Sequence, residues 1–342
     1  MERGWSEVEC IMKTSITPEP PKTIMPTERI DCPIPATCAG MRLDQALAEL
    51  LPQYSRSRLQ QWLKAGQLRV DGAIRRPRDS VAGGERVSGE LMLTAETTAA
   101  AQNIPLTVLY EDADLLVISK PAGLVAHPAA GNRDGTLVNA LLHHAPELAA
   151  LPRAGLVHRL DKDTTGLLVV ARSLRAHTAL VEQLQARAIE REYLAVVNGV
   201  PVAGGTVDAP IGRHPLDRQR MAVTAGGKPA VTHYRMLRRF RAHALLQVKL
   251  ETGRTHQIRV HMAHIRFPLL GDPVYGGRLR VPPGASPQCL EILQQFRRQA
   301  LHAGRLALTH PVTGERREWR AEPPADLAEL IAALTEDVEH SM

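Results

Sequence analysis

Two apolar runs flank a charged insertion in GLVHRLDKDTTGLLVVARS, Gly155 to Ser173. Each run has the character of a buried strand, yet His158, Arg159, Asp161, Lys162 and Asp163 stand between them. A fold that buries both runs has to carry this connection to a sheet edge or into a cleft, because ionised groups left unpaired in a core are strongly disfavoured. Asp161 and Asp163 are two apart, so an extended backbone puts them on one face. Taken alone, the residues allow four uses. A D-x-D metal site is one, although magnesium sites recruit further carboxylates and Lys162 intervenes. A glycosidase pair is another, although residues so close in sequence have trouble straddling a sugar. The third is a surface turn whose Asp side chains accept backbone N–H bonds. The fourth is a single nucleophile, Asp161, held ionised in a desolvated pocket by a nearby cation.

The segment ETGRTHQIRVHMAHI can provide that cation. Gly253-Arg254-Thr255 joins a predicted strand to a predicted helix over Thr255–Ile265, which puts Arg254 at the strand end with Thr255 as N-cap. His256, His261 and His264 invite a zinc reading, but their i, i+5, i+8 spacing lacks the i, i+4 pair with a central Glu. REYLAVVNG contributes Tyr193, one of five tyrosines in a chain with 3% aromatic residues. A core ring is the plain reading. So few rings argue against a stacking platform for single strands, whereas one ring in a pocket suits one flipped base.

At 342 residues the chain is long enough for two domains. Residues 1–38 are rich in proline and poor in apolar periodicity, and are expected to be a disordered leader. Residues 39–93 read as a compact αα-then-β unit. Leu43, Ala46, Leu47, Leu50 and Leu51 form one helix face; Leu59, Trp62 and Leu63 form a second, with Ser55 as its N-cap. QLRVDGAIRR then reads as strand, Asp71-Gly72 turn and strand. Residues 94–103 read as a linker, and 104–342 as a larger domain. Its predicted strands include Leu115–Ser119, Leu156–Leu160, Gly166–Ala171, Glu192–Val197 and Leu245–Leu250, with helices at Leu137–His144 and Leu174–Ala188. This pattern is α+β, not a doubly wound sheet.

Net charge is +6, with Arg far outnumbering Lys among the 42 cations. That balance fits planar contacts to phosphates. The four cysteines form no C-x-x-C pair, which indicates neither a zinc ribbon nor a disulfide framework and fits a reducing cytoplasm. No apolar run approaches a membrane span.

VISKPAGLVAHP, GLVHRLDKDTTGLLVVARS, REYLAVVNG, GKPAVTHYRMLRRF, LETGRTHQIRVHMAHI and PLLGDPVYGG together resemble the RluA-type pseudouridine synthases, and within them the ribosomal large-subunit branch usually called RluD. RLDQALAELLPQYSRSRLQQWLKAGQLRVDG resembles the S4-type RNA-binding module. The resemblance implies a mixed, mainly antiparallel sheet flanked by helices and loops, and conversion of uridine to pseudouridine in large-subunit (23S) ribosomal RNA, with the helix 69 stem-loop as target, by a cytoplasmic monomer using no cofactor or metal. By motif position it makes Asp161 the catalytic carboxylate, Tyr193 the stacking ring and a candidate for moving the 2′ proton, and Arg254 the ion-pair partner of Asp161. Arg159 becomes the residue that fills the gap left by the flipped nucleotide, and Ile258 an apolar wall against the uracil. In the front module, Arg42, Arg56, Ser57, Arg58, Lys64 and Arg69, together with Arg75 and Arg76, are placed to meet phosphates. The competing readings are a non-catalytic ribosome-assembly factor, a metal-dependent hydrolase using Asp161 and Asp163, and a synthase acting on another ribosomal or transfer RNA site.

Overall fold

The computed structural model describes residues 27–51, 54, 56–92, 99–128, 132–217 and 220–340. Residues 1–26 of the expected leader, the Ser55 cap and residues 94–98 of the expected linker lie outside the described residues.

The expectation of disorder through residue 38 is corrected by β1 (Thr27–Pro33). Ile30 and Ile34 are buried in the front core, and Cys38 follows them. Pro33 is tolerated because this strand lies at a sheet edge, where a missing N–H breaks no ladder. Next come α1 (Leu43–Leu50), α2 (Arg56–Lys64), β2 (Leu68–Val70) and β3 (Arg86–Met92). The strands form an antiparallel sheet in the order β1-β3-β2. Leu43 and Leu47 of α1 meet Leu59, Trp62 and Leu63 of α2, and Tyr54 sets its ring edge-on to Trp62 at 4.7 Å. Asp71 and Gly72 make the expected tight turn, both with positive φ. The strand expected after the turn reduces to one bridge, Val70 with Ala73, because β2 takes β3 as its partner.

The larger unit runs through β4 (Thr107–Glu111), β5 (Leu115–Lys120), α3 (Leu137–His144), β6 (Thr165–Ala171), α4 (Leu174–Gln185), β7 (Glu190–Asn198), β8 (Gly205–Asp208), β9 (Ile211–Arg213), β10 (Met221–Val223), β11 (Val231–Arg239), β12 (His243–Leu250), α5 (Gln257–His264), α6 (Pro287–Gln295), β13 (Leu301–Thr309), β14 (Arg316–Arg320) and α7 (Ala325–Glu339). Nine strands form one mixed, mainly antiparallel sheet in the order β4-β5-β6-β13-β7-β12-β11-β8, with β14 also on β13. The architecture is α+β. Among the described residues, no helix is long and apolar enough to cross a membrane.

The unbroken apolar run of β6 follows from cover on both faces. Leu168 and Val170 join Leu116, Ile118, Leu137 and Leu141 on the side of α3, whereas Leu167 and Val169 join Leu115, Val117 and Leu180 on the side of α4. The other half of the opening motif behaves differently: Leu156–Leu160 is not a strand. Arg153, Ala154 and Gly155 all take positive φ and turn the chain sharply, after which only Leu156 bridges to Val170. His158 then puts a side chain where a neighbouring strand would sit, its Nε2 accepting the Val169 N–H at 3.2 Å.

β13 reaches β6 at a single place, pairing in parallel at His302–Thr165 and Ala303–Gly166. Gly166 is required there: its φ is +108°, and a Cβ would stand 2.3 Å from the Ala303 carbonyl oxygen. Gly166→Ala is expected to lower the unfolding free energy by about 2 to 4 kcal/mol through strain and displacement of β13. Urea denaturation checks this; a loss below about 0.5 kcal/mol, the ordinary surface effect, contradicts it.

Candidate active site

The loop after β5, the turn before β6, the middle of β7 and the start of α5 converge on a cleft of roughly 570 Å³. Asp161, Tyr193, Arg159, Ile258 and Arg254, the five cleft residues expected from sequence, all line it. Asp163 and Lys162 do not, so the two carboxylates of D-x-D do not converge.

Asp161 opens a turn closed by the Thr164 N–H on its carbonyl at 3.1 Å. Beneath the turn, Lys120 is 1% exposed and donates Nζ to the carbonyls of Pro121, Leu124 and Lys162 at 2.7, 3.0 and 2.8 Å. Burial draws this ammonium down to about 8, against the pull of Asp163 and Asp161.

The expected Arg254–Asp161 ion pair is absent. Arg254 is exposed on the loop before α5 and gives Nε to the Pro229 carbonyl at 3.0 Å. Arg259 takes the role, with Nη1 3.2 Å from Asp161 Oδ2. The reason is helical phase. The N-cap is His256, in the left-handed region with φ 57°, and not Thr255, so residue 259 lies one turn into the helix on the same side as His256. Arg259 also forks onto Asp272, Nε to Oδ2 at 2.7 Å and Nη2 to Oδ1 at 2.9 Å, and lies 5.0 Å from the Tyr275 ring centre. Burial opposes its charge, but the Asp272 bonds and the field of Asp161 hold its pKa above the ordinary arginine value.

His256 places Nε2 4.0 Å from Asp161 Oδ1 and its Nδ1 2.9 Å from the Tyr275 hydroxyl. Burial lowers its pKa despite the attraction of Asp161, which favours the neutral imidazole. Tyr193 is 6% exposed, and burial raises its hydroxyl above the usual range, with Arg191 opposing. Burial thus favours the protonated phenol, whose ring face suits stacking. Of the other histidines considered for zinc, His261 is engaged by Thr232 Oγ1 and the Ala209 carbonyl, both at 2.9 Å. Among the described residues, no three His, Cys, Asp or Glu side chains gather as a metal site.

In the front unit, Arg42 and Arg56 remain about half exposed while both bond the buried Asp44, joined by Gln60 at 2.6 Å. Burial resists ionisation of Asp44, but these bonds bring it to about 2. The two guanidinium groups are thereby held at the surface in fixed directions. Ser57, Lys64 and Arg69 are exposed. Arg58 is corrected: it is buried, its guanidinium 5.1 Å from the Trp62 ring one turn on, and does not present a phosphate contact. Arg75 pairs with Glu85, and Arg76 with Asp79.

Comparison with known proteins places these features in a family. The model described as RNA pseudouridylate synthase matches residues 114–264, and that of the S4 domain residues 41–87. The chain is 60% identical over 304 residues to a Xanthomonas campestris protein named Ribosomal large subunit pseudouridine synthase D, covering 89% of this chain and 92% of that one. It is 58% identical over 306 residues to the Pseudomonas aeruginosa protein of the same name, covering 90% and 96%. Among solved structures, Human RNA Pseudouridylate Synthase Domain Containing 4 superposes with a TM-score of 0.53 at 28% identity, over 67% of this chain and 93% of that chain.

The ring of His158, partly buried with its Nδ1 sealed from solvent, yields a pH prediction. Burial, then the charge of Arg191, lowers its pKa to about 3. Below about 6.5 the unfolded chain binds a proton that the folded chain refuses, so this residue removes stability as pH falls from about 6.5 to 3. His158→Gln keeps an acceptor for Val169, and its stability is expected to fall less steeply than wild type between pH 6 and 4, by about 1.4 kcal/mol per unit. Parallel slopes in denaturation series contradict this.

Proposed function

The chain belongs to the RNA pseudouridylate synthase family and is an RNA pseudouridine synthase; on that premise we propose that it isomerises specific uridines of large-subunit (23S) ribosomal RNA, within the helix 69 stem-loop, with Asp161 as nucleophile. The observation that carries the Asp161 assignment is its ion pair with the buried Arg259 in a cleft whose apolar walls include Tyr193 and Ile258. We take the protein to act as a monomer in the cytoplasm, with residues 39–93 and the preceding strand gripping RNA and residues 104–342 carrying the reaction.

The substrate uridine leaves its stack, at a cost of a few kcal/mol that is smallest in loops. Arg159, exposed at the cleft rim, fills the vacated space. The uracil lies against Tyr193 and Ile258. The Asp161 carboxylate attacks C1′, and the C1′–N1 bond breaks with its electron pair going to the uracil. The base turns, C5 attacks C1′ and Asp161 departs. The C5 proton is then lost and N1 is protonated, so atoms balance without a co-reactant. Arg259 keeps the carboxylate ionised and aimed. Tyr193 stacks on the uracil, and on a glycal route it is the candidate for moving the 2′ proton. On the front unit, Arg42, Arg56, Lys64 and Arg69 position the phosphate backbone.

Pseudouridine mapping of ribosomal RNA from cells with and without the protein tests the target; an unchanged helix 69 profile overturns it. Asp161→Asn is expected to bind RNA within about three-fold of wild type and to form no product, since only the transition-state interaction is removed. Product from a clean Asp161→Asn preparation removes Asp161 from the chemistry.

The two arginines separate in the same assay. Arg259→Lys keeps one charge but loses the fork that spans two carboxylates, and is expected to lose about 100-fold or more in kcat. Arg254→Gln is expected to raise KM and leave kcat within about three-fold. The reverse pattern restores the partner expected from sequence.

A further inference from the structure

The turn that carries Asp161 rests on side chains from the segment between α6 and β13 and from the start of β13. Arg298 Nη1 donates to the Asp163 carbonyl at 3.3 Å. Gln299, 1% exposed, donates Nε2 to Thr164 Oγ1 at 3.1 Å. His302, equally buried, meets Thr165 Oγ1 through Nδ1 at 2.8 Å and the Ala321 carbonyl through Nε2 at 2.9 Å. With Lys120 on the Lys162 carbonyl, residues 162 to 165 each have a partner that is not among the residues lining the cleft. Arg298 is itself held by Asp326 in the first turn of α7, Nε to Oδ2 at 2.7 Å and Nη2 to Oδ1 at 2.8 Å.

We propose that Arg298 and Gln299 are positioning residues for Asp161, and that Asp326, at the start of α7, sets the direction of Arg298. This rests on the assignment of Asp161 above. None of the three lines the cleft, so they act through the turn and not on the substrate. Arg259 fixes only the far end of the Asp161 side chain. If the backbone beneath it drifts, the carboxylate can follow Arg259 while its line of approach to C1′ changes, and displacements near 1 Å are enough to lose about 100-fold in rate. The Asp326 side chain is half exposed. The Arg298 side chain is 11% exposed, and the isosteric Asp326→Asn keeps an oxygen acceptor for it while removing only the half-solvated charge. Its loss should therefore be read in the chemical step, while melting changes little.

The test compares Arg298→Met, Arg298→Lys, Gln299→Leu and Asp326→Asn in the full-length protein. Four quantities are measured: single-turnover rate at saturating enzyme, RNA dissociation constant, melting temperature, and hydrogen exchange of the segment 159–165. Arg298→Met and Gln299→Leu are expected to lose about 10- to 100-fold in single-turnover rate, and Asp326→Asn about 3- to 10-fold. RNA affinity should stay within about two-fold, and the Thr164 amide should exchange faster. Arg298→Lys, which keeps a cationic donor, should recover part of the rate. A wild-type rate in Arg298→Met overturns the proposal. So does a rate loss that merely tracks melting temperature or affinity, with Arg298→Lys no better than Arg298→Met. If wild-type protein makes no pseudouridine, the proposed activity fails; unchanged Thr164 exchange in all variants then separately rejects the hold of Arg298 and Gln299 on the turn, and faster exchange upholds it.

Discussion

One guanidinium ties the site together. Arg259 is shared between Asp161 and Asp272 and lies over Tyr275, and the order of dependence can be traced. Asp272 is fixed first, because its Oδ1 accepts the backbone N–H groups of Val274 and Tyr275 at 2.9 and 3.0 Å. It then orients the planar fork of Arg259 through two parallel bonds, and the remaining Nη1 is left aimed at the cleft. Asp161 takes its direction from that nitrogen. A lysine has no such fork, and a buried carboxylate without a partner is strongly penalised, so the arrangement requires arginine and both acids together.

Such a triad needs a rigid frame, which the sheet provides. Because β6 is covered on both faces, its ends cannot shift without opening two cores at once. The turn at its N-terminal end is reached from two other elements: Lys120 at the end of β5, and the segment leading into β13. Lys120 bonds three backbone carbonyls from within the protein, which explains why a lysine is buried at a place where no acid pairs with it. Gly155 and Gly166 bracket the stretch at positions where a Cβ would collide with backbone, so the loop between them is constrained at both ends.

Much of this was legible in the residues. Asp161, Tyr193, Arg159 and Ile258 sit at the cleft as expected, since each belongs to a short motif whose local structure is set by its neighbours. Arg254 and Arg259 illustrate the limit. Both occur in GRTHQIR, and the choice between them depends on where the helix begins. A left-handed His256 moved that start beyond Thr255, and no local propensity announces a strained N-cap. Arg58 was misread for a related reason: its charge suggested an outward face, whereas its guanidinium lies on Trp62. β13 carries no clear strand signal in its residues. Its residues LHAGRLALT break the apolar alternation at His302, Gly304 and Arg305; His302 is placed beneath Thr165, and Arg305 against Glu190 and Glu192 on β7 and Glu318 on β14.

By itself, then, the sequence determined the class of fold, the two-unit organisation, the charged turn ahead of an apolar strand and the carboxylate on it, because these depend on patterns within a few residues of one another. Only the tertiary structure decided which arginine faces that carboxylate, that the GLV run is a strained turn and not a strand, and that α7 reaches the turn through Arg298. The first and third of those outcomes depend on pairings between residues about a hundred or more positions apart, where one ångström of strand placement chooses the partner and local pattern carries no information about distance.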